Sequence, residues 1–436
     1  MRLSGASRYL TNHILFFSAP DIESAERTTI RMEIEVKDRH YNFVYLDIEC
    51  AFEPSIAQEL IRSMEYTNIK YKIRSTIEAR GLKPKKRSMV DAVNRLMTDF
   101  ILCNRSGRIT RMKDGFFHYE DAGVARKTFA EYIVDVFGAS PETASQLAKQ
   151  IDIVGLFDSA IQRIANTRNG KTKEYKKHIG LAQSKIDSAR IEIDSARVNV
   201  DSSYILFESL GIIKHQLTIP KTVYAILKKR YSEYKAKTKH KYKLDDLVYM
   251  LLLRYNTFDS GGNQWGMPYA IREKFRKELG FNFECFASAL NHYYYYYCSA
   301  FYDIEKYFMS LGPFQNITYL RGIYMANPPY EMHLLNSMVD TFERALVKHK
   351  SLVFMYGLPD WERYGDKVYF LDKSRESPYH KYHIKYDPYV WPWHDFMSHV
   401  VIKIPASYRF VLSNVDVNVG QIKKIIHAWR DLHARN

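Results

Sequence analysis

Cysteine is scarce in this sequence, and long apolar runs are absent from it. Four cysteines occur in 436 residues, at positions 50, 103, 285 and 298, and none of them is paired at a metal-ligand spacing. This excludes a disulfide-rich scaffold, indicates a reducing compartment and predicts no structural zinc. No stretch approaches the roughly 20 apolar residues of a membrane-spanning helix, and the patch "ILFF" near the start is too short for a secretory signal. We therefore expect an intracellular protein without a metal site or a membrane partner.

Acidic residues are fewer than basic ones, and this restricts the class of partner. The chain has 64 Lys and Arg against 49 Asp and Glu, a net charge of +15. Between Arg163 and Lys243 the balance is 19 to 7, and the segment "LKKRYSEYKAKTKHKYK" (227–243) interleaves basic residues with tyrosines. Basic side chains neutralise phosphates, and aromatic rings stack on exposed bases. Two interpretations remain open: a solvated helix face, or a nucleic-acid contact made by Arg230, Lys235, Lys237 and Lys239.

The patterns along the chain predict three parts. Residues 1–105 form a mixed α+β accessory region, because "TTIRMEIEVKDRHYNFVYLDIECAF" alternates as a β-hairpin does and helical patterns follow it. Residues 106–245 are a mainly helical, basic and RNA-binding domain, with a capping signal at Ser140. The short heptad repeat "KIDSARIEIDSARVNV" predicts one more packed helix in that domain. Residues 246–436 form the third part.

This third part has the pattern of an α/β domain. Apolar runs such as "LVYMLLLRY", "FNFECFAS", "GIYMAN", "SLVFMYGLP" and "YRFVLS" alternate with amphipathic stretches such as "LNSMVDTFERALVKH". The alternation predicts short strands joined by helices, and hence a mostly parallel sheet. Ligands of such sheets bind beyond the carboxyl ends of the strands. The tetrapeptide Asn327-Pro328-Pro329-Tyr330 lies at one of these ends.

An Asn-Pro-Pro-aromatic elbow suits the methylation of an amino group. The exocyclic amine of a base is a poor nucleophile because its lone pair is delocalised into the ring. Two acceptors, the Asn327 side-chain oxygen and the Pro328 carbonyl, would localise that lone pair, and the prolines fix the backbone. Tyr330 would stack on the base and hold it in line with the methyl group of a sulfonium. A strand-terminal turn without function is the alternative.

Two other features have simple structural explanations. If the run "YYYYY" (293–297) is helical, Tyr293 and Tyr297 lie on one face of the helix. There they either pack in the core or stack on bases. Four histidines lie between positions 380 and 399, but none has metal-ligand spacing with a supporting cysteine, so we interpret them as phosphate-binding or surface residues. They are His380, His383, His394 and His399.

Residues from about 250 to 365 resemble the catalytic core of the phosphorylated-CTD-interacting-factor family. The likeness is carried by "FECFAS" (283–288), Leu290-Asn291, "YCSAF" (297–301), Asn327-Pro328-Pro329, "FER" (342–344) and "PDW" (359–361). Members of that family are cap-specific adenosine N6-methyltransferases, which use S-adenosylmethionine to methylate the first transcribed adenosine of capped mRNA. A weaker likeness joins "QWGMP" and "FNFECFAS" to phage-type DNA adenine methyltransferases.

The resemblance implies a fold class, a cofactor and a set of site residues. The fold is α/β, a Rossmann-like S-adenosyl-L-methionine-dependent methyltransferase domain preceded by the mainly helical domain and the mixed α+β region. Trp361 edges the substrate cleft. The cofactor-binding residues are Gly262, Gln264, Trp265, Pro268, Glu284, Phe286, Ser288 and Asn291. Of these, Glu284 or Ser288 is the candidate for the ribose hydroxyls, since carboxylates at such strand ends commonly bind them.

The sequence departs from the family at several points. The family more often has Phe where Tyr330 stands, and both rings can stack. We find no WW-type domain, so binding to a polymerase tail is not carried over. The function predicted is N6 methylation of the cap-adjacent adenosine in capped RNA; the alternatives are adenine methylation in DNA or internal RNA, or an inactive module that binds capped RNA. The resemblance implies a nuclear protein, whereas a viral origin would allow work in the cytoplasm.

Overall fold

The protein is described by a computed structural model. The residues that it describes are 29–36, 39–84, 88–103, 108–168, 191–192, 204–208, 216–258, 264–362, 368–386, 392–397, 401–403 and 406–431. Its helices are α1 (Ile56–Ala79), α2 (Met89–Cys103), α3 (Ala122–Phe137), α4 (Pro141–Ile151), α5 (Ile153–Arg168), α6 (Lys221–Lys237), α7 (Leu244–Phe258), α8 (Tyr269–Lys274), α9 (Tyr302–Glu305), α10 (Met332–Lys348), α11 (Tyr369–Glu376) and α12 (Val419–Asp431).

Eight of the strands in the described residues form one mixed sheet, and the other eight form three small sheets. The strands are β1 (Thr29–Val36), β2 (Arg39–Leu46), β3 (Glu49–Cys50), β4 (Arg111–Met112), β5 (Ile191–Glu192), β6 (Tyr204–Glu208), β7 (Gln216–Pro220), β8 (Trp265–Gly266), β9 (Phe283–Glu284), β10 (Tyr296–Tyr297), β11 (Ile317–Ala326), β12 (Leu352–Pro359), β13 (His380–Tyr386), β14 (Pro392–Asp395), β15 (Val401–Lys403) and β16 (Ser407–Ser413). The chain is therefore a mixed α/β structure, as the sequence predicts in its broad class.

Parallel strands form the centre of the main sheet. The pairs β10·β9, β9·β11 and β11·β12 are parallel, while β16 runs antiparallel between β12 and β13. β12 is an apolar strand with all eight residues buried, whereas the edge strand β13 alternates between half-buried and exposed residues up to its buried last residue, Tyr386. A strand buried on both faces needs an apolar run instead of an alternating pattern. The carboxyl ends of β9, β11 and β12 consequently meet at one edge of the sheet.

The N-terminal hairpin belongs to the same sheet. The predicted β1–β2 hairpin is confirmed, and β2 continues the sheet by antiparallel pairing with the first half of β11, for example Tyr319 with Phe43. The Tyr41 hydroxyl then donates to the Ile323 carbonyl at 3.0 Å. One core extends from Tyr41 to Trp429 through helices and sheet alike. The division of the chain into three parts, with boundaries at residues 105 and 245, stays a prediction.

Several sequence predictions fail locally, each for a physical reason. "LVYMLLLRY" (247–255) lies in helix α7 instead of a strand, because this helix is buried on almost every side and so lacks amphipathic periodicity. The run 293–297 is not helical: Tyr296 and Tyr297 form β10, although Tyr294 and Tyr297 are buried as expected. Within the heptad repeat, Ile191–Glu192 is a strand paired with β6; most of that repeat lies outside the described residues.

Helix α4 begins where the sequence predicts it to begin. Ser140 caps α4, with its side chain accepting from the Thr143 backbone N–H at 3.2 Å and Pro141 in the first turn. None of the helices in the described ranges is both long enough and apolar enough to cross a membrane. Within those same ranges, no group of three or more His, Cys, Asp or Glu side chains could hold a metal ion.

Candidate active site

The elbow follows β11 directly and leads into α10. Its first proline is buried and its second is exposed, while Asn327 and Tyr330 are half-buried. Glu331 is the N-cap of α10, and its carboxylate accepts from the backbone N–H groups of His333 at 3.0 Å and Leu334 at 2.7 Å. The Pro329 carbonyl accepts from the Glu331 N–H at 2.9 Å. The elbow is thus anchored at its far end by helix capping.

Helices α2 and α3 hold the elbow from the other side. The Tyr132 hydroxyl, on α3, donates to the Glu331 carboxylate at 2.7 Å. Arg95, on α2, donates through Nη2 to the Tyr330 carbonyl at 3.4 Å. These bonds are made by residues far away in sequence, so the packing of α2 and α3 supports the conformation of the elbow.

The Asn327 side chain presents a buried oxygen without a partner. Asn327 Oδ1 makes no hydrogen bond in the described structure, although water does not reach it. It lies 3.4 Å from the point that a Cβ would occupy on Gly357, in the neighbouring strand β12. Leaving a buried acceptor unsatisfied costs about 1–3 kcal/mol, so such atoms are few and call for an explanation. An amino group that binds there would supply the missing donor.

Tyr330 faces strand β16. Its hydroxyl contacts the side chain of Ser407; burial raises the pKa of this phenol, and the charge of Arg409 and the bond to Ser407 act in the opposite direction. The ring therefore stays neutral at ordinary pH and could stack on a base. Sequence reasoning missed Arg409, which is 1% exposed and lies close to the elbow. Its only signal was a single basic residue within the apolar run "YRFVLS".

The predicted cofactor residues cluster around the loop after β9. Ser288 Oγ donates to Gln264 Oε1 at 2.7 Å, and Asn291 Oδ1 accepts from the Ser288 N–H at 2.8 Å. Gln264 is 8% exposed, and its Nε2 has no partner among the described residues. This loop lies next to the elbow in the sheet, because the Cys285 N–H donates to the Met325 carbonyl at 2.7 Å.

Glu284 already has partners for both carboxylate oxygens. Oε1 accepts from Arg272 Nη1 at 2.9 Å, and Oε2 accepts from the Tyr293 N–H at 2.8 Å. In this structure the carboxylate braces the loop at Tyr293. Phe286 packs on Phe314, with ring centroids 4.4 Å apart.

Of the remaining predicted cofactor residues, Trp265 and Pro268 lie within the described residues. Trp265 is half-buried in β8 and pairs with Asp395 of β14. Pro268 is buried at the start of α8, and its carbonyl accepts from the Ile271 N–H at 3.0 Å. Gly262 lies outside the described residues.

The structure separates the predicted substrate residues into two groups. Trp361 follows β12 at the same sheet edge as the elbow, half-buried against Phe370 at 5.6 Å. Arg230 is buried: its guanidinium lies 4.1 Å from the centre of the Tyr295 ring and donates to the Tyr294 carbonyl at 3.4 Å. It braces the loop near β10 and does not share the solvent-exposed surface of the three lysines. Those exposed lysines are Lys235, Lys237 and Lys239.

Known proteins resemble this part of the chain. Residues 221–393 match the family model described as the phosphorylated CTD interacting factor 1 WW domain. Two curated relatives, from Mus musculus and Homo sapiens, are each 30% identical over 164 residues, and both are named mRNA (2'-O-methyladenosine-N(6)-)-methyltransferase. The match covers 37% of this chain and 23% of each relative, so this chain corresponds to less than a quarter of their length.

The family match corrects one prediction. The sequence analysis found no WW-type domain, and this is wrong, because the matching model carries that domain in its description. The matched residues begin with the first residue of α6 and end within β14. Polymerase-tail binding was excluded only because no WW-type domain was found, so this exclusion no longer holds. The resemblance itself is confirmed: residues 221–393 match a model of the phosphorylated-CTD-interacting-factor family, and the two relatives are similar over 164 residues.

Proposed function

We propose that this chain transfers a methyl group from S-adenosyl-L-methionine to N6 of the first transcribed adenosine of capped mRNA. The observation that carries the proposal is the buried, unpartnered Asn327 Oδ1 at the carboxyl end of β11, within an Asn-Pro-Pro-Tyr elbow. Two curated relatives named for adenosine N6 methylation support the reaction class. The mixed sheet is consistent with a Rossmann-like methyltransferase domain behind a helical RNA-binding region.

In this proposal the elbow provides the two acceptors for the target amine. Asn327 Oδ1 accepts one N–H of the amino group and the Pro328 carbonyl accepts the other, so the nitrogen lone pair is directed away from the ring. Pro329 does not serve as the second acceptor, because its carbonyl already binds the Glu331 N–H. The prolines keep the acceptors in place, and the Tyr330 ring stacks on the base. Loss of the amine proton to water completes the transfer.

The residues around β9 fit a nucleoside cofactor with an amino-acid tail. S-adenosyl-L-methionine, when bound, supplies the electrophilic methyl group. Gln264 Nε2 is a buried donor without a partner, which suits a hydroxyl or carboxylate acceptor. Ser288 and Asn291 hold the adjacent loop in shape through their own hydrogen bond. Trp265, Pro268 and Phe286 provide the apolar wall that such pockets usually have.

The deciding test measures labelled methyl transfer to four substrates. They are capped RNA that begins with A, the same RNA without its cap, capped RNA that begins with G, and duplex DNA. We expect label only on capped A-start RNA, and we expect Asn327→Ala to reduce transfer by about 100-fold or more, the usual effect of removing one such polar contact. Asn336→Ala is the matched control: Asn336 Oδ1 is also buried and unpartnered, but it lies within α10.

Other patterns of label would change the conclusion. Label on DNA or uncapped RNA would keep amine methylation and assign the chain to a broader adenine-methylating class. Transfer that is undiminished in Asn327→Ala would contradict the acceptor role of the elbow. The absence of label on all four substrates, with S-adenosyl-L-methionine still bound in calorimetry, would make the chain a binding module instead of an enzyme.

A further inference from the structure

Three neighbouring strands place polar groups around one glycine. Arg409 of β16 pairs with Gly357 of β12, and Asn327 follows the next strand, β11. Paired residues of neighbouring strands point to the same face, so the Arg409 side chain extends across β12 where Gly357 has no side chain. Its guanidinium carbon and Nη2 lie 3.4 Å from the point that a Cβ would occupy on Gly357, as does Asn327 Oδ1. The two groups are therefore separated by no more than twice that distance.

Arg409 is buried with unused hydrogen-bond donors. It is 1% exposed, and neither Nε nor Nη1 has a partner among the described residues. A buried charged group with unmade hydrogen bonds is costly unless an acceptor compensates it. On one side the Tyr386 ring lies 5.9 Å from the guanidinium carbon, and the Tyr386 hydroxyl also interacts with Arg409. Arg409 thus offers donors, and Asn327 offers an acceptor, to the same space.

We propose that Arg409 donates a hydrogen bond to the ring nitrogen next to the amino group that is methylated. The proposal rests on the function proposed above. The edge of adenine that carries N6 presents an amino donor beside a ring-nitrogen acceptor. An acceptor at Asn327 and a donor at Arg409 are the complement of that edge. The pair recognises the base as well as holding the amine.

The same pair rejects guanine. Guanine presents a carbonyl oxygen at the position of the adenine amine, so it would place an acceptor against Asn327 Oδ1. Its adjacent ring N–H on the Watson–Crick edge would also point a donor at the guanidinium. A site that leaves buried polar groups unpaired with the wrong substrate discriminates strongly. Arg409 therefore contributes to the choice of adenine over guanine when its contact is to the ring nitrogen on the Watson–Crick edge. A contact to the ring nitrogen on the other edge leaves that choice to Asn327, because guanine keeps an acceptor there.

The half-buried Tyr330 ring borders this space. Its hydroxyl contacts Ser407, which precedes Arg409 by two residues on the same strand face, and the Arg409 charge acts on it directly. When a base enters, the ring leaves Ser407 and stacks on the base. The Arg409 donors, covered in the present structure, become accessible by the same movement.

Single-atom changes in the substrate test the assignment. The assay compares methyl transfer to capped RNAs that begin with adenosine, 1-deazaadenosine or 7-deazaadenosine; each deaza base lacks one of the two ring nitrogens nearest the amine. We expect the parent protein to be at least 10-fold slower on one of the two analogues. Arg409→Leu should be about 10- to 100-fold slower than the parent on adenosine, the discrimination of one good polar base contact. On the deaza analogue that slows the parent protein, Arg409→Leu should be no slower than it is on adenosine.

A second variant guards against a folding defect in Arg409→Leu. Gly357→Ala places a methyl group in the shared space at van der Waals distance from both side chains, and it should reduce transfer while S-adenosyl-L-methionine binding stays unchanged. Equal rates of the parent protein on all three RNAs would overturn the assignment, and so would a deaza penalty that persists in full in Arg409→Leu. If the parent methylated none of the RNAs, the proposed function itself would fail, and Arg409 with it.

Discussion

Two buried polar clusters in this protein differ in how completely they are hydrogen-bonded. In the first, Arg254 lies between Glu59 and Asp303 with nitrogen–oxygen distances of 2.6 and 2.9 Å, and Arg62 binds Asp114 at 2.7 Å. In the second, around Gly357, Asn327 Oδ1 and two nitrogens of Arg409 lack partners among the described residues. Burial makes both clusters sensitive to a missing contact. The first is hydrogen-bonded within the chain, and the second leaves these atoms open for the ligand proposed above.

The complete cluster joins helices α1 and α7 to the short helix α9. Glu59 and Arg62 lie on α1, Arg254 on α7 and Asp303 on α9, and Arg62 also binds Glu59. Although burial alone would lower the pKa of Arg254, the charges of Asp303 and Glu59 raise it well above its usual value. Gly115 permits this approach, since a Cβ there would lie 2.1 Å from Arg254 Nη1. A complete ionic cluster of this kind specifies how two regions pack.

Breaking the complete cluster should have the largest effect on stability. Arg254→Met removes the cation and leaves Glu59 and Asp303 as buried carboxylates without it. We expect a decrease of about 3–5 kcal/mol in the free energy of unfolding, the usual cost of breaking a buried ion pair from one side. Urea unfolding of the parent and the variant measures it. The exposed pair Arg74–Glu78 provides the control, and Arg74→Met should change stability by less than about 0.5 kcal/mol.

A pH titration tests a third buried group, Glu305, which lies on α9 two residues after Asp303. Burial raises the pKa of Glu305 to about 7, although its carboxylate accepts from the Ala289 N–H at 2.7 Å and the Phe301 N–H at 2.9 Å. The folded state holds a proton that the unfolded state releases, so stability falls as pH rises from about 4.5 to about 7. A shift of this size is worth about 3 kcal/mol.

Glu305→Gln isolates that contribution. The nearby His292 has the opposite dependence, because burial and the charge of Arg230 lower its pKa to about 3. The unfolded state therefore binds the proton first, and this histidine makes the protein less stable as pH falls below about 6.5. In Glu305→Gln only the histidine effect remains, so stability should rise more steeply between pH 4.5 and 6.5 than in the parent. Parallel pH curves for the two proteins would contradict the raised pKa.

The incomplete cluster should respond to mutation in the opposite way. Asn327→Ala removes an acceptor that has no partner among the described residues, so the free energy of unfolding should change by less than about 1 kcal/mol. Methyl transfer should nevertheless fall by about 100-fold or more. Urea unfolding and the methyl-transfer assay on the same preparation measure both quantities. A decrease in stability as large as that of Arg254→Met would mean that Asn327 holds the fold instead of a ligand.

The sequence predicted the elbow because its signal is local. Two prolines after an apolar run mark a strand end wherever the strand lies, and the β1–β2 hairpin was found for a similar reason. Arg409 could not be predicted, because its role depends on the register that pairs it with Gly357. Gln264 was predicted from the family resemblance, but its hydrogen bond to Ser288 was not, because the two residues are 24 positions apart. Helix α7 was misassigned because residues 247–254 are all buried and show no polar face.

The smallest expected effect on stability concerns the basic surface at the end of α6 and beyond it. Replacing Lys235, Lys237, Lys239 and Lys241 by Gln should change the free energy of unfolding by no more than about 0.5 kcal/mol, because all four are exposed. If these lysines bind the phosphates of single-stranded RNA, the slope of log affinity against log salt concentration should flatten by about 0.7 for each phosphate that the variant no longer neutralises.

The control variant removes the same charge elsewhere, by replacing four exposed lysines on α10, on α12 and in the turn after α10. They are Lys348, Lys350, Lys423 and Lys424. Because α10 runs back from the elbow, its last residues lie at the opposite edge of the sheet from Asn327. A flattened slope for the first set alone would make α6 part of the RNA path to the elbow, whereas equal slopes for both sets would reduce the lysines to general surface charge.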